Sequence, residues 1–163
     1  MPGSANIGHG VARSRAARRP APARAVVDSG PLIALFNASD QWHAPLVAWL
    51  REHQDVRLVT TWPVLTEVCA LLARRLHNEA ALDFLRWTQR GALEVDRAEV
   101  TTLAKVLAIS ERFADLPFDL ADASVAEAAA RLRIGAVVSI DADFDVYRDL
   151  RGKPLVNLLR AGK

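Results

Sequence analysis

The chain has 163 residues, of which 51% are hydrophobic and 25% are charged, and this composition suits one globular domain with its own apolar core. Its apolar runs are far shorter than the roughly 20 residues of a membrane-spanning helix, so we expect no membrane segment. The single cysteine, Cys69, can form neither an internal disulfide nor a thiolate zinc site. We interpret Cys69 as a core thiol and expect a reducing compartment, the cytoplasm.

The formal net charge of +2 is unevenly distributed. Residues 1–25 hold five of the 21 basic residues and no acidic residue, so the rest of the chain carries 16 basic against 19 acidic residues, a net charge of −3. Because this segment has little apolar surface to bury, we predict that residues 1–24 are a disordered extension. A solvated extension, or translation from an upstream start codon, is favoured over an arm that binds nucleic-acid phosphates. Residues 25–157 are the predicted folded domain, and residues 158–163 are a short tail.

The first predicted element lies in the segment AVVDSGPLIALF, residues 25–36. Its apolar start predicts a buried strand that ends at Asp28, and a short helix follows from Pro31 to Asn37. Ser29 is a candidate N-cap for this helix, and Pro31 suits its first turn.

Helices and strands then alternate along the chain. The periodicity predicts helix His43–His53, strand Val56–Thr60, helices Pro63–Leu76 and Asn78–Trp87, the second ended by Gly91, strand Ala92–Val95, helices Arg97–Phe113 and Asp119–Leu132, strand Ala136–Ile140 and edge strand Pro154–Asn157. Strands separated by helices predict an α/β fold, with a parallel sheet, right-handed crossovers and helices on both faces.

Four acidic residues occupy positions where apolar or neutral residues would otherwise be expected. Asp28 and Asp141 each follow a predicted strand, Glu67 interrupts the apolar pattern in the predicted first turn of its helix, and Asp122 lies among alanines. Taken singly, each is explained as a strand-end acid, a polar turn or a favourable charge near a helix N-terminus. Carboxylates gathered at one sheet edge, however, repel one another and raise each other's pKa unless a cation intervenes.

A hard divalent cation is the natural counter-charge for such a group. Mg²⁺ and Mn²⁺ prefer oxygen ligands, whereas the four histidines are dispersed and none pairs at zinc-ligand spacing. The acidic residues therefore indicate metal-assisted phosphoryl transfer or hydrolysis.

The segments VVDSGPLIALF, TEVCALL, DLADASVAEAAARL and VVSIDADF, in this order and spacing, resemble the PIN-domain ribonucleases, in particular the VapC-type toxins of bacterial toxin-antitoxin pairs. The resemblance covers about residues 25–157. It implies a three-layer α/β/α sandwich with a mainly parallel sheet of four to five strands, and an acidic Mg²⁺ or Mn²⁺ site that cleaves RNA. It also implies a cognate antitoxin as partner, and we expect a homodimer.

The resemblance carries functional roles to individual residues. The catalytic and metal-binding acids would be Asp28, Glu67, Asp122 and Asp141, with Ser29 and Ser139 in support and Asp143 able to reach the metal through water. Asp119 and Asp145 are expected to be peripheral and solvated. The extension before residue 25 departs from the family pattern, in which the domain commonly begins within a few residues of the first acid.

RNA must be attracted by local basic groups, because the folded part is net negative. The candidates are Arg74, Arg75, Arg148 and Arg151, although a plain solvated face explains them equally well.

Two other functions stay open. A non-catalytic binding module would use the apolar surfaces around Leu46, Trp49 and Leu50 and along residues 65–76, for which core packing is the favoured explanation. A DNA nuclease or a phosphatase could use a similar acidic cluster. The phosphatase is disfavoured because no second Asp lies two residues after Asp28, and no residue identifies a contact to the 2′-hydroxyl that would separate RNA from DNA.

Overall fold

The structure, a computed structural model, describes residues 22–148 and 152–160. Most of the predicted N-terminal extension therefore lies outside the described residues, as does Arg151. The helices are α1 Ser29–Leu35, α2 His43–Glu52, α3 Trp62–Arg75, α4 Asn78–Trp87, α5 Thr102–Arg112 and α6 Leu120–Arg131. The strands are β1 Arg24–Val27, β2 Arg57–Thr60, β3 Glu94–Val95, β4 Ala136–Val138 and β5 Val156–Asn157.

The strands form one parallel sheet in the order β3-β2-β1-β4-β5. In the centre of the sheet Val26 is paired with Val59 on one side and Val137 on the other. The chain moves outward from β1 to β3, then returns to the other side of β1. Contacts join α1 with α2 and α3, and α3 with α4, while α5 packs on α6. Right-handed crossovers place these two groups of helices on opposite faces of the sheet. The predicted three-layer α/β/α sandwich is confirmed.

The apolar pattern of the sequence is explained by the core between these layers. Strands β1 and β4 are buried along their apolar residues, as expected for parallel strands covered on both faces. Leu65 and Leu72 are buried in this core, Trp49 and Leu50 pack against it, and Leu46 is also buried. Core packing thus accounts for most of the two helix surfaces that had been considered for partner binding, although Leu76 at the end of the second is 39% exposed. Within the described residues no helix is both long and apolar enough to cross a membrane.

Several predicted boundaries were wrong by a few residues. Helix α1 begins at Ser29, and its N-cap is Asp28 rather than Ser29, because the Asp28 carboxylate accepts the Ser29 N–H. Helix α3 is capped by Thr61, which places Glu67 in the second turn rather than the first. Helix α5 begins five residues later than predicted, since the Glu99 N–H is satisfied by the Thr102 hydroxyl in a local turn.

Gly30 marks a close approach between α1 and the chain after β4. A Cβ atom built on Gly30 would lie 2.8 Å from Cγ1 and 3.0 Å from Cδ1 of Ile140. A side chain at this position would therefore press on the residue that precedes Asp141.

We expect Gly30→Ala to destabilise the protein by about 1–3 kcal/mol, the usual cost of overpacking, although Gly→Ala in a helix is normally stabilising by up to about 1 kcal/mol. Urea unfolding measures the change. Gly135→Ala is the matched control, because a Cβ there meets nothing within 4 Å. Equal or greater stability of the Gly30 variant would contradict the close packing.

Candidate active site

The candidate site lies at the carboxyl ends of β1 and β4. Between these two neighbouring strands the strand order reverses, because β2 and β3 were added on one side of β1 and β4 and β5 on the other. In open α/β sheets a crevice forms at this switch point and binds ligands. Asp28 directly follows β1, and Asp141 lies three residues after β4. Asp122 comes from the first turn of α6, and Glu67 from α3. The predicted convergence of the two strand-end acids therefore occurs.

Three carboxylates form the tightest acidic group. Carboxylate oxygens of Asp122, Asp141 and Asp143 lie within 4.8 Å of one another. Among residues 22–148 and 152–160, this is the group of side chains close enough together to hold one metal ion. The Asp143 N–H donates to Asp141 Oδ1 at 2.9 Å, which fixes the turn that brings these two side chains together. Asp143, which was expected to reach the metal only through water, thus belongs to the same close group as Asp122 and Asp141. Asp28 is outside this group of three.

Asp28 is the most deeply buried acid of the candidate site, with 3% of its surface exposed. Its Oδ1 accepts the Ser29 N–H at 2.6 Å and its Oδ2 accepts the Ser139 hydroxyl at 3.0 Å. The pKa of Asp28 is raised to about 6, mainly by burial and also by the charges of Glu67 and Asp141, against the lowering effect of these two hydrogen bonds. Both predicted supporting serines therefore contact Asp28, Ser29 through its backbone.

Asp122 carries the most strongly shifted carboxyl group of the cluster. Burial, followed by the nearby charges of Asp28, Asp119, Asp141 and Glu67, raises its pKa to about 8. Asp119, expected to be solvated, is the N-cap of α6 and accepts N–H groups from Ala121 and Asp122. Glu67 acts on both Asp28 and Asp122 through its charge, so all four predicted acids lie in one electrostatic environment.

The donor set suits a small, hard divalent cation. All the converging groups are carboxylates, the ligands that Mg²⁺ and Mn²⁺ prefer. Two oxygens on opposite sides of a Mg²⁺ ion, each at about 2.1 Å, are about 4.2 Å apart, which is compatible with oxygens that already lie within 4.8 Å. A bound cation would also offset the mutual repulsion that, after burial, raises the pKa values of Asp28 and Asp122.

Three residues that the sequence analysis did not select also belong to this region. Asn157 of β5 forms hydrogen bonds to the backbone of Ser139. Burial, followed by the charges of the surrounding aspartates, raises the pKa of Tyr147 to about 12, which keeps its hydroxyl protonated. Arg160 pairs with Asp145 at 2.8 Å and donates to the Ile140 carbonyl. Arg160 thus connects the C-terminal residues to the acidic loop, which comprises residues 140–145.

The candidate RNA-binding arginines occupy different places. Arg74 and Arg75 are in the last turn of α3, about 10 Å beyond Glu67 along the helix at 1.5 Å per residue. Arg148 donates to the backbone carbonyls of residues 145–147. Its guanidinium group is therefore engaged with its own turn, whereas RNA bound at Asp122 would have to extend along α3 to reach Arg74 and Arg75.

A family model described as the PIN domain matches residues 25–150 of this chain. The chain belongs to the PIN-domain family. The resemblance based on the four sequence segments is thereby confirmed, and the matched range contains every acid of the candidate site.

Two solved structures share the fold. One is Mycobacterium tuberculosis VapC20, which is described as a toxin that cleaves the sarcin-ricin loop. Its sequence is 22% identical to this chain, and the two structures superpose with a TM-score of 0.69 over 79% of this chain and 98% of VapC20. The other is VapBC2 from Rickettsia felis bound to a DNA fragment from its promoter, with 12% identity, a TM-score of 0.57, and coverage of 76% of this chain and 92% of that one. No curated protein matches the chain. At these identities the likeness shows a common PIN fold.

The shifted pKa values predict how stability depends on pH. Asp122 has a pKa of about 8 in the folded protein against an ordinary value of 3.8, so the folded protein holds a proton that the unfolded chain releases. This contribution to stability is fully present below about pH 4 and is lost as the pH rises through about 8. We expect the metal-free protein to become less stable between about pH 5.5 and about pH 8.5 in urea unfolding with EDTA.

Asp122→Asn should flatten this dependence and stabilise the metal-free protein by about 1–3 kcal/mol near pH 8.5. One pKa unit corresponds to about 1.4 kcal/mol, and solvent screening of the partly exposed Asp122 reduces the full effect. Asp55→Asn is the control, because Asp55 is exposed and outside the cluster. An unchanged pH dependence in the Asp122 variant would contradict the electrostatic coupling.

Proposed function

We propose that this protein is an Mg²⁺- or Mn²⁺-dependent endoribonuclease. The observation that carries the proposal is the set of three carboxylates within 4.8 Å at the switch point of the sheet, with the buried Asp28 beside it. Membership of the PIN-domain family supports a nuclease. The metal ligands would be Asp122, Asp141 and Asp143, with Asp28 and Glu67 completing the acidic surface directly or through water.

When bound, the cation would lower the pKa of a water molecule for attack on phosphorus and offset the charge on the leaving oxygen. The residues of the chain hold the site in shape. The Ser29 N–H and the Ser139 hydroxyl fix both oxygens of Asp28, and the N–H groups bonded by Asp119 fix the start of α6 below Asp122. The Tyr147 hydroxyl, whose raised pKa keeps it protonated, is an uncharged group among these aspartates.

RNA is proposed as the substrate because VapC20, which shares the fold over most of this chain, is described as a toxin that cleaves the sarcin-ricin loop. The VapBC2 structure is bound to a DNA fragment from its promoter. Because the four sequence segments resemble VapC-type toxins of toxin-antitoxin pairs, we infer by analogy that this chain is the toxin of such a pair, acts in the cytoplasm and binds a cognate antitoxin. Cleavage of DNA instead of RNA by the purified protein would support the alternative of a DNA nuclease.

We expect Asp122→Asn and Asp28→Asn to lower metal-dependent RNA cleavage by at least about 100-fold, because the first removes a ligand charge and the second removes the buried charge beside it. Cleavage of a labelled RNA with Mn²⁺ or Mg²⁺, followed on a denaturing gel, measures the effect. EDTA should abolish cleavage by the unmodified protein, and added Mn²⁺ should restore it.

Asp55→Asn serves as the matched loss of one carboxylate outside the cluster and should cleave at the unmodified rate. Circular dichroism of each variant checks that the fold is retained. Undiminished cleavage by a folded Asp122 or Asp28 variant would overturn the proposed site. Cleavage that persists in EDTA would overturn the metal dependence.

A partner surface is proposed beside α5. A groove of about 310 Å³ is bordered by apolar side chains, and it also contains Asp96, Glu99 and Glu127. The exposed fractions of its border residues are 62% for Trp62, 102% for Val100, 77% for Leu103 and 49% for Leu120. Apolar side chains grouped with such exposure, next to charged groups, are typical of a protein interface. We propose that the antitoxin covers this face, and association of two copies of the chain through it is the other outcome that the test below separates.

Leu103→Asp should weaken this association by at least about 10-fold, because a carboxylate would be placed against apolar surface that the partner desolvates. Analytical ultracentrifugation of the protein alone and with a co-expressed antitoxin separates the two partners. Leu82→Asp is the control, since Leu82 is 44% exposed on α4, outside the groove. Unchanged association with both partners would show that the groove is not the interface.

A further inference from the structure

Strand β5 supports the end of β4 that leads into the candidate site. Its backbone pairs in parallel with β4, with Val156 opposite Ala136 and Asn157 opposite Val137. Hydrogen bonds at the two ends of this pairing run from Val156 N–H to the Gly135 carbonyl at 2.9 Å and from Leu158 N–H to the Val137 carbonyl at 2.8 Å. The chain then turns over residues 158–160. Backbone pairing by β5 therefore stops before Ser139, the residue that joins β4 to the acidic loop.

The side chain of Asn157 replaces the missing backbone partner. Its Nδ2 donates to the Ser139 carbonyl at 2.9 Å, and its Oδ1 accepts the Ser139 N–H at 3.4 Å and the Leu159 N–H at 3.2 Å. A carboxamide offers one donor and one acceptor side, as a peptide group does. Asn157 thus extends the ladder by one residue beyond the point where the β5 backbone turns away. Asn157 is 6% exposed and Ser139 is fully buried, so neither backbone group of Ser139 could easily find water instead.

Ser139, once fixed in this way, contacts two acids of the site. Its hydroxyl donates to Asp28 Oδ2 at 3.0 Å and accepts the Asp141 N–H at 2.9 Å. A hydroxyl has one hydrogen and two lone pairs, so both contacts can be made at once. A continuous set of hydrogen bonds therefore connects Asn157, through Ser139, to a buried acid on one side and to the start of the acidic loop on the other.

We propose that Asn157 is a positioning residue for the metal site, acting through Ser139 on Asp28 and Asp141. The inference rests on the proposed function, because it concerns the same carboxylates. The Asn157 amide bonds to the backbone of Ser139 and Leu159 rather than to a carboxylate. Its contribution is to hold the side chain that connects the end of β1 to the loop after β4.

The chemistry of the amide makes this role specific. In Asn157→Asp the new carboxylate could still accept the Ser139 N–H, but it would place an oxygen against the Ser139 carbonyl, where Nδ2 now donates. Asn157→Leu keeps a similar volume and leaves both backbone groups of Ser139 without a partner. An unsatisfied buried polar group is costly, so in both variants we expect Ser139 to move and its hydroxyl to leave Asp28.

Two measurements on the full chain test the proposal. We expect Asn157→Asp and Asn157→Leu to weaken Mn²⁺ binding, measured by calorimetry, by about 10- to 100-fold, as for residues that orient metal ligands. In the metal-free protein, NMR-detected hydrogen exchange of the Ser139 and Asp141 amides should accelerate by at least about 10-fold, because their hydrogen bonds are weakened or lost. The hydrogen-exchange measurement tests whether Asn157 holds Ser139 and Asp141 in place even if the protein binds no metal.

Thr88→Val is the matched control for loss of a buried side-chain hydrogen bond, since the buried Thr88 hydroxyl donates to the Phe84 carbonyl in another part of the fold. It should leave Mn²⁺ affinity and both amides unchanged. In a Ser139→Ala background, Asn157→Asp should have little further effect on Mn²⁺ affinity, because the connecting hydroxyl is absent.

The possible failures are distinguishable. An unmodified protein that neither binds Mn²⁺ nor cleaves RNA would refute the proposed function, whatever Asn157 does. If the unmodified protein binds Mn²⁺ but a folded Asn157→Asp variant keeps that affinity within about twofold, the positioning role is refuted. Unchanged exchange of the Ser139 and Asp141 amides would refute it as well. Should Asn157→Leu fail to fold, the Asn157→Asp variant decides.

Discussion

Electrostatic repulsion between carboxylates is the constraint on which the arrangement of this protein depends. Asp122, Asp141 and Asp143 are held with their oxygens within 4.8 Å, and Asp28 is buried beside them. Burial and mutual charge oppose ionisation, as the raised pKa values of Asp28 and Asp122 show. A stable fold therefore has to fix these groups with hydrogen bonds from elsewhere, and the cost of doing so is reduced when a cation is bound.

Those fixing hydrogen bonds come mostly from ordinary secondary structure. Asp28 serves as the N-cap of α1, and Asp119 caps α6 directly below Asp122. The same interactions that begin the helices thus orient the acidic groups, so that helix positions and the geometry of the site cannot change independently. Ser139 adds a side-chain link between the two central strands at this edge, which explains why the support it receives from Asn157 has consequences beyond β5.

A second group of charges lies on the other side of α6 and fixes that helix to the sheet. Arg131 bonds to Glu127 one turn earlier and to Asp96, which follows β3. Glu127 is 2% exposed, and a buried charge of this kind is tolerated only when it is paired. The two ends of α6 are therefore anchored differently, by the cap at its start and by this ion pair near its end. The position of Asp122 over the strand ends follows from both.

Much of this protein could be predicted from local sequence pattern, because strand burial and helix periodicity are local properties. The alternation of elements, the approximate helix ranges and the convergence of Asp28 with Asp141 all follow from it, since parallel strands end at one edge. The PIN-domain family followed from four segments in order. By contrast, the tight grouping of Asp143 with Asp122 and the bonds from Asn157 to Ser139 depend on how a turn folds and where β5 stops. These contacts join residues far apart in the chain or set the fine geometry of a loop, so only the tertiary structure decided them.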